Sequence, residues 1–251
     1  MPQNIALLAA IAEQHGHTAV IIDGQAEGIS EEKMVNRALA LKPDLFALTC
    51  YSPFFHLNTS LAQKIKSSGS KIPIIVGGPH ITIMKEKIAE QYPQFDYLFV
   101  GEAEHSLPNF LTAYEQEKDL SQVNGLIFKK DGRIISGQPQ WIPATVKITG
   151  RTVGKEFVLD EYPFPARHLL PMKKYRLGTA DGRNYFTSIH TMRGCPWHCI
   201  FCASEALNTT RMAMRSPESV VEEIKQVQRE YPFISHIFFT DDVLTLWAEN
   251  H

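Results

Sequence analysis

Arg193-Gly194-Cys195-Pro196-Trp197-His198-Cys199-Ile200-Phe201-Cys202 places three of the chain's four cysteines within eight residues, spaced C-x3-C-x2-C. Thiolates are the preferred ligands of iron–sulfur clusters, and a four-iron cubane normally takes four of them, so three local cysteines leave one iron open to a substrate or cosubstrate. A disulfide framework does not suit an odd cysteine cluster in a chain without a signal peptide. Zinc is the rival reading, because His198 lies inside the loop and Cys3His sites are common. Zinc modules usually supply their ligands as two separated pairs, however, and this would be one tight knuckle. His198 is read as a loop residue and not as a ligand.

The flanks of this loop decide the fold. Tyr185-Phe186-Thr187-Ser188-Ile189-His190-Thr191 alternates in a β-rich run that stops just before Gly194, so the cysteine loop leaves the C-terminal end of a strand. Ser216-Pro217-Glu218 then reads as N-cap, N1 proline and first-turn acid, and Val220, Ile224 and Val227 continue at helical spacing. A second strand, His236 to Thr240, ends on Asp241-Asp242. Strand, loop, helix and strand in this order open a parallel β/α barrel, where chemistry sits on the loops that follow the strands.

Upstream, residues 1–118 alternate between helix and strand, the pattern of a doubly wound parallel sheet with helices on both faces. Ile5, Leu7, Leu8 and Ile11 start an amphipathic helix that ends near Gly16, and Thr18 to Ile22 is a short strand closing on Asp23. Asp44–Thr49, Ile72–Val76 and Asp96–Val100 supply three more strands, each running into a polar or glycine-containing loop. Ligands of such sheets bind beyond the carboxyl ends of the strands. Gly77-Gly78 there lets a backbone approach a ligand or simply makes a turn. Ser52 offers a hydroxyl, and Tyr51, Pro53, Phe54 and Phe55 either cover a flat ligand or close a core. His80 either reaches a ligand or caps the following helix, and Glu102 and Glu104 are either ligands or helix N-terminal acids. Cys50, at a strand end, is read as a small buried hydrophobe.

Residues 119–183 read as a connector whose clearest feature is a hairpin, Leu126-Ile127-Phe128 and Ile134-Ile135 flanking Asp131-Gly132. Asp160 to Pro165 is a proline-rich strap leading into the barrel. A net charge of −2 leaves no electrostatic footprint for nucleic acid. No apolar run is long enough for a membrane span, and the cysteine usage suits a reduced cytoplasmic protein.

In this order, Gly77-Gly78-Pro79-His80, Gly101-Glu102-Ala103-Glu104, Asp160-Glu161-Tyr162-Pro163-Phe164-Pro165, the cysteine motif with Arg193-Gly194 before it and Ala203 after it, and Phe239-Thr240-Asp241-Asp242 carry a resemblance over most of the chain. The sequence resembles the cobalamin (vitamin B12)-binding-domain radical S-adenosylmethionine (SAM) enzymes. The resemblance implies a Rossmann-like cobalamin-binding domain at 1–118 and the first β/α units of a partial TIM-type radical SAM barrel at 184–251. It further implies a 4Fe-4S cluster on Cys195, Cys199 and Cys202, whose open iron chelates SAM; reduction then yields a 5′-deoxyadenosyl radical. In many relatives a cobalamin-borne methyl group passes to a carbon of a small-molecule substrate, with a reductant such as flavodoxin or ferredoxin as partner. By the same analogy Ser52, Gly77 and Gly78 meet the cobalamin tail, and Asp241 or Asp242 contacts SAM or substrate or else caps a helix.

Two departures from the family pattern shape a further expectation. The chain starts on what corresponds to the first helix, without the preceding strand that would be central in a 2-1-3-4-5 sheet and without a lower-ligand histidine by motif. Residues 184–251 number 68, whereas a full barrel takes roughly 200 or more. The chain is accordingly read as part of a longer protein, with a non-catalytic zinc or iron–sulfur module, or an inactive truncated product, as the alternative readings.

Overall fold

The computed structural model describes residues 1–142, 146–147, 152–153, 157–178, 184–208 and 212–244. They form two compact units, Gly28–Trp141 and a second that joins Met1–Glu27 to Ile142–His251. This partition differs from the expected 1–118, 119–183 and 184–251, and parts of the expected connector lie outside the described residues.

Helix α1 (Gln3–Gln14) and the single turn α2 (Gly24–Glu27) belong to the second unit. Ala6, Ala9 and Ala10 recur at helical spacing and make a low face, onto which Ala166, Leu170, Met172 and Tyr175 pack. Small side chains let the backbones meet: the Ala166 amide donates to the Ala6 carbonyl at 2.9 Å. The Tyr175 hydroxyl donates to Asp23 at 2.7 Å. By these contacts Met1–Glu27 groups with the second unit and not with Gly28–Trp141. Thr18–Ile22 forms no strand. Ile21 is buried in the same cluster, so the apolar pattern there reports burial and not ladder pairing.

The Gly28–Trp141 unit runs α3 (Glu31–Ala40), β1 (Phe46–Thr49), α4 (Phe55–Ser67), β2 (Ile74–Gly77), α5 (Pro79–Met84), α6 (Glu86–Gln91), β3 (Tyr97–Phe99), α7 (Ala103–Glu115), β4 (Leu126–Lys130) and β5 (Arg133–Ser136). The sheet order is β1-β2-β3-β4-β5, with β1, β2 and β3 parallel and β4 and β5 antiparallel. The expected hairpin therefore extends the sheet instead of standing apart as a connector. Asp131 and Gly132 both take positive φ, 50° and 75°, as a two-residue turn matched to strand twist requires.

Strand periodicity sorts the core into two layers. Ile74, Val76, Leu98 and Ile127 pack with Val35, Ala62, Ile65, Ile81 and Ile88 from α3 to α6. Their alternates Tyr97 and Phe99 turn to Phe110 of α7, with ring centroids 4.9 and 5.6 Å apart. Helices thus cover both faces, as the doubly wound reading requires.

In the other unit, β6 (Val146–Lys147) and β7 (Thr152–Val153) form a short antiparallel pair. Then come β8 (Tyr185–Ile189), β9 (Met192–Arg193), α8 (Ser204–Asn208), β10 (Ala213–Met214), α9 (Pro217–Glu230) and β11 (Ile234–Phe239). β8 and β11 are parallel neighbours joined through α9, one β/α crossover of the kind expected. Ser216 caps α9 by accepting from the Ser219 amide at 3.1 Å, and Pro217 opens the helix. No described helix is long and apolar enough to cross a membrane.

Candidate functional site

The cysteine loop emerges where β8 ends, and Asp241-Asp242 emerges from the same end of β11, since Ile189 pairs with Phe239 in register. Met192 is buried with Met212 and Met214 beneath the start of the loop. Gly194, at φ 88°, turns the chain outward. From there the chain is exposed: Cys199 and Cys202 are on the surface, Cys195 is partly covered, and Ile200 and Phe201 stand almost wholly in solvent. Ser204 is buried again.

All three thiols are free, and their type and shared loop suit an iron–sulfur cluster. Among the described residues no three of His, Cys, Asp and Glu stand grouped as metal ligands, so the loop presents the donors without gathering them. The Ser204 amide lies 3.4 Å from Cys202 Sγ. His198 faces Glu205, Nδ1 to Oε2 2.9 Å, with both side chains exposed.

Asp241 neither caps a helix nor points free. Its Oδ1 accepts from the amides of Thr191 at 2.7 Å and Met192 at 2.9 Å, and its Oδ2 accepts from the Thr191 hydroxyl at 2.8 Å. Asp242 Oδ2 lies 3.4 Å from the Ser204 hydroxyl at the other end of the loop.

The sheet unit gathers another part of the expected set. After β1, Cys50 is fully buried, donates its amide to Gly77 at 2.8 Å and accepts from the His80 amide at 3.1 Å. Burial pushes its thiol up to about 11, in keeping with a structural hydrophobe. Gly78 sits at φ 101°, and a Cβ there would stand 2.8 Å from the Cys50 carbonyl oxygen. No other residue type fits that place. Gly77 has no such demand, because its Cβ would meet Phe99 Cβ at 3.5 Å, ordinary contact.

Across the two strand-end loops, Ser52 Oγ and His80 Nδ1 are 3.0 Å apart. His80 lies against Phe55 in a tilted pair with ring centroids 4.3 Å apart, and burial lowers its pKa, which favours the neutral ring. Ser52, Gly78 and His80 are thus brought together. The apolar loop divides: Phe55 joins the core while Tyr51 and Phe54 stay exposed. Glu104 occupies the first turn of α7 and is buried; Glu102 precedes the helix.

Sequence reasoning missed a buried triad in the other unit. Glu223 of α9 accepts from Arg167 at 2.5 Å and from Arg215. Arg167 also donates to the Ser188 carbonyl at 2.9 Å, and Arg215 to the His190 carbonyl at 3.1 Å. The signal was present, since Glu223 lies between Val220 and Ile224 on the stripe that carries Val227, an acid where an apolar residue belongs.

Residues 1–111 match the B12 binding domain family. Over 91% of its length the chain is 23% identical to the cobalamin-dependent radical SAM methyltransferase TokK of Streptomyces tokunonensis, of which it covers 32%. The chain thus carries a B12 binding domain and is homologous to cobalamin-dependent radical SAM methyltransferases. It is also 30% identical over 245 residues to an uncharacterized methyltransferase of Pyrococcus horikoshii, covering 98% of this chain and 49% of that protein. Among solved structures, it superposes on the radical SAM methyltransferase TsrM of Kitasatospora setae, with cobalamin and [4Fe-4S] cluster bound, at a TM-score of 0.71. That match has 20% identity and covers 98% of this chain and 46% of TsrM, and it bears on the fold alone. The chain spans about half or less of the length of each protein it matches here.

Proposed function

We propose that this chain forms the cofactor-holding part of a cobalamin-dependent radical SAM enzyme that transfers a methyl group, or carries out related carbon chemistry, on a small molecule. The observation that carries the reading is the free three-thiol loop at the C-terminal end of β8, in a chain that also holds a B12 binding domain. When bound, an iron–sulfur cluster would supply the electron for SAM cleavage and cobalamin would supply methyl-group carriage.

This chain's own residues would bind and orient. Cys195, Cys199 and Cys202 supply three thiolates, and the missing fourth leaves room for SAM. By the family resemblance Asp242, beside the exit of the loop, would be the strand-end acid that meets a cosubstrate, while Asp241 holds the root of the loop through three hydrogen bonds. In the sheet unit the backbone at Gly77-Gly78 and the hydroxyl of Ser52 are the candidate contacts for the cobalamin tail. His80 Nδ1, 3.0 Å from Ser52 Oγ, would help to orient that hydroxyl. A flavodoxin or ferredoxin would supply the electron, consistent with a cytoplasmic setting.

Anaerobic reconstitution with iron and sulfide, followed by assay of 5′-deoxyadenosine from SAM in a protein extended to the relatives' full length, tests this function. Four irons per chain, and deoxyadenosine production that is lost when any of the three cysteines becomes alanine, are the expected results. One equivalent of zinc without iron or sulfide would replace this reading by that of a structural zinc module.

A further inference from the structure

We propose that Asp241 is a positioning residue for the cluster: its carboxylate clamps the root of the cysteine loop so that Cys195 leaves the fold from a fixed point. The inference rests on the iron–sulfur reading of the loop. It arises from the contrast between a loop that is exposed from Trp197 to Ala203 and a root that is held from every side.

Each hold on the root is visible. Arg215 donates to the His190 carbonyl at 3.1 Å through its side chain and to the Thr191 carbonyl at 2.9 Å through its amide. Thr240 reaches His190 Nδ1 at 3.0 Å. These contacts engage the carbonyls and the ring, while the amides of Thr191 and Met192 turn to Asp241 at the point where the chain passes from β8 into β9. Asp241 Oδ1 takes both amides, and its Oδ2 takes the Thr191 hydroxyl. A carboxylate oxygen with two lone pairs can take two amides at once, which a hydroxyl or a single water does less well. The neighbouring Asp242 approaches Ser204, the first buried residue after Cys202. Two consecutive acids at the end of β11 therefore bracket the cysteine loop, and the short arm of Asp241 fixes its entrance four residues before Cys195.

Partners of this kind behind metal ligands typically govern affinity by about tenfold to a hundredfold. The test compares the 251-residue chain with Asp241→Ala, Asp241→Asn and Asp96→Asn after anaerobic reconstitution. Readouts are the rate of iron loss to a chelator and the electron paramagnetic resonance spectrum of the reduced cluster. Asp96, in the other unit, takes the Ile74 amide and Lys66, and serves as a control for lost stability without a link to the loop.

Asp241→Ala is expected to release iron about tenfold to a hundredfold faster and to broaden the spectrum. Asp241→Asn keeps an oxygen for the two amides and is expected to stay near the parent in both readouts, as is Asp96→Asn. Amide hydrogen exchange at Thr191 and Met192 in the metal-free chain is expected to rise in the alanine variant and not in the asparagine variant. A parent chain that takes up no iron overturns the cluster reading and this inference with it. A parent that loads four irons, with Asp241→Ala releasing them at the parent rate, overturns the inference alone. Failure of Asp241→Asn as complete as that of Asp241→Ala, with the two amides still protected, would assign the charge to a bound ligand and also overturn it.

Discussion

Arg167 donates to Glu223 at 2.5 Å in the core, with 3% and 0% of the two side chains exposed. Arg215 completes the triad from the opposite carboxylate oxygen. The strap before β8, the residue leading into α9 and the second turn of that helix meet in this one interaction.

Removing the central charge leaves two guanidinium groups facing each other out of reach of water. Glu223→Gln is expected to lower the unfolding free energy by about 3–5 kcal/mol, the usual loss when one partner of a buried ion pair is removed. Lys64→Met, which breaks the exposed pair with Glu31, should cost no more than about 1 kcal/mol. Urea unfolding followed by circular dichroism compares the two, and equal losses would refute the structural weight given to the triad.

Gly78 and Gly77 are adjacent but unequal. Gly78→Ala places a Cβ on the Cys50 carbonyl at a positive φ, and a loss of about 1–3 kcal/mol is expected. Gly77→Ala meets only ordinary contact at 3.5 Å and should change stability far less. The same unfolding measurement decides, and a larger loss at Gly77 would contradict the geometry.

Protonation of His80 works against the fold. Burial lowers its folded pKa below the ordinary value of 6.5, so the folded state binds fewer protons than the unfolded chain in that range. Its contribution is whole above pH 6.5 and is lost as pH falls through the folded pKa. Denaturation midpoints measured between about pH 7.5 and 5.0 should fall with pH less steeply in His80→Gln than in the parent. His190, lowered by burial and by Arg193, keeps a residual slope in that variant.

Cysteine reactivity should separate the four thiols. Cys50 is fully buried with its thiol pushed up to about 11, so a thiol reagent at about pH 7.5 should label Cys195, Cys199 and Cys202 in the native metal-free chain and reach Cys50 only after denaturation. Reconstitution should protect the three, and chelation should expose them again. Mass spectrometry of labelled peptides reads both steps, and early labelling of Cys50 would contradict its place in the core.

Much of this was legible in the chain itself because local rules suffice for it. The cysteine spacing, the Ser216-Pro217 helix start, the Asp131-Gly132 turn and the period-2 runs of β1, β2 and β3 are all short-range signals. The place of Cys50 was readable too, from its position at a strand end. Thr18–Ile22 shows the limit of such signals, since an apolar alternation states that a side chain is buried but not whether a strand lies beside it.

Sequence by itself determined most of the element types, the spacing of the three cysteines and the family resemblance. The tertiary structure decided which carboxylate does what. Asp241 and Asp242 are identical in type and adjacent in the chain, yet in the segment beyond β11 one turns to the root of the cysteine loop and the other toward its exit. It also decided that Met1–Glu27 packs on the strap around Ala166, and that an acid on the apolar face of α9 lies between two arginines. Asp241 with Thr191 and Arg167 with Glu223 join residues 50 and 56 positions apart, where neither periodicity nor spacing carries information and only burial of complementary groups selects the partner.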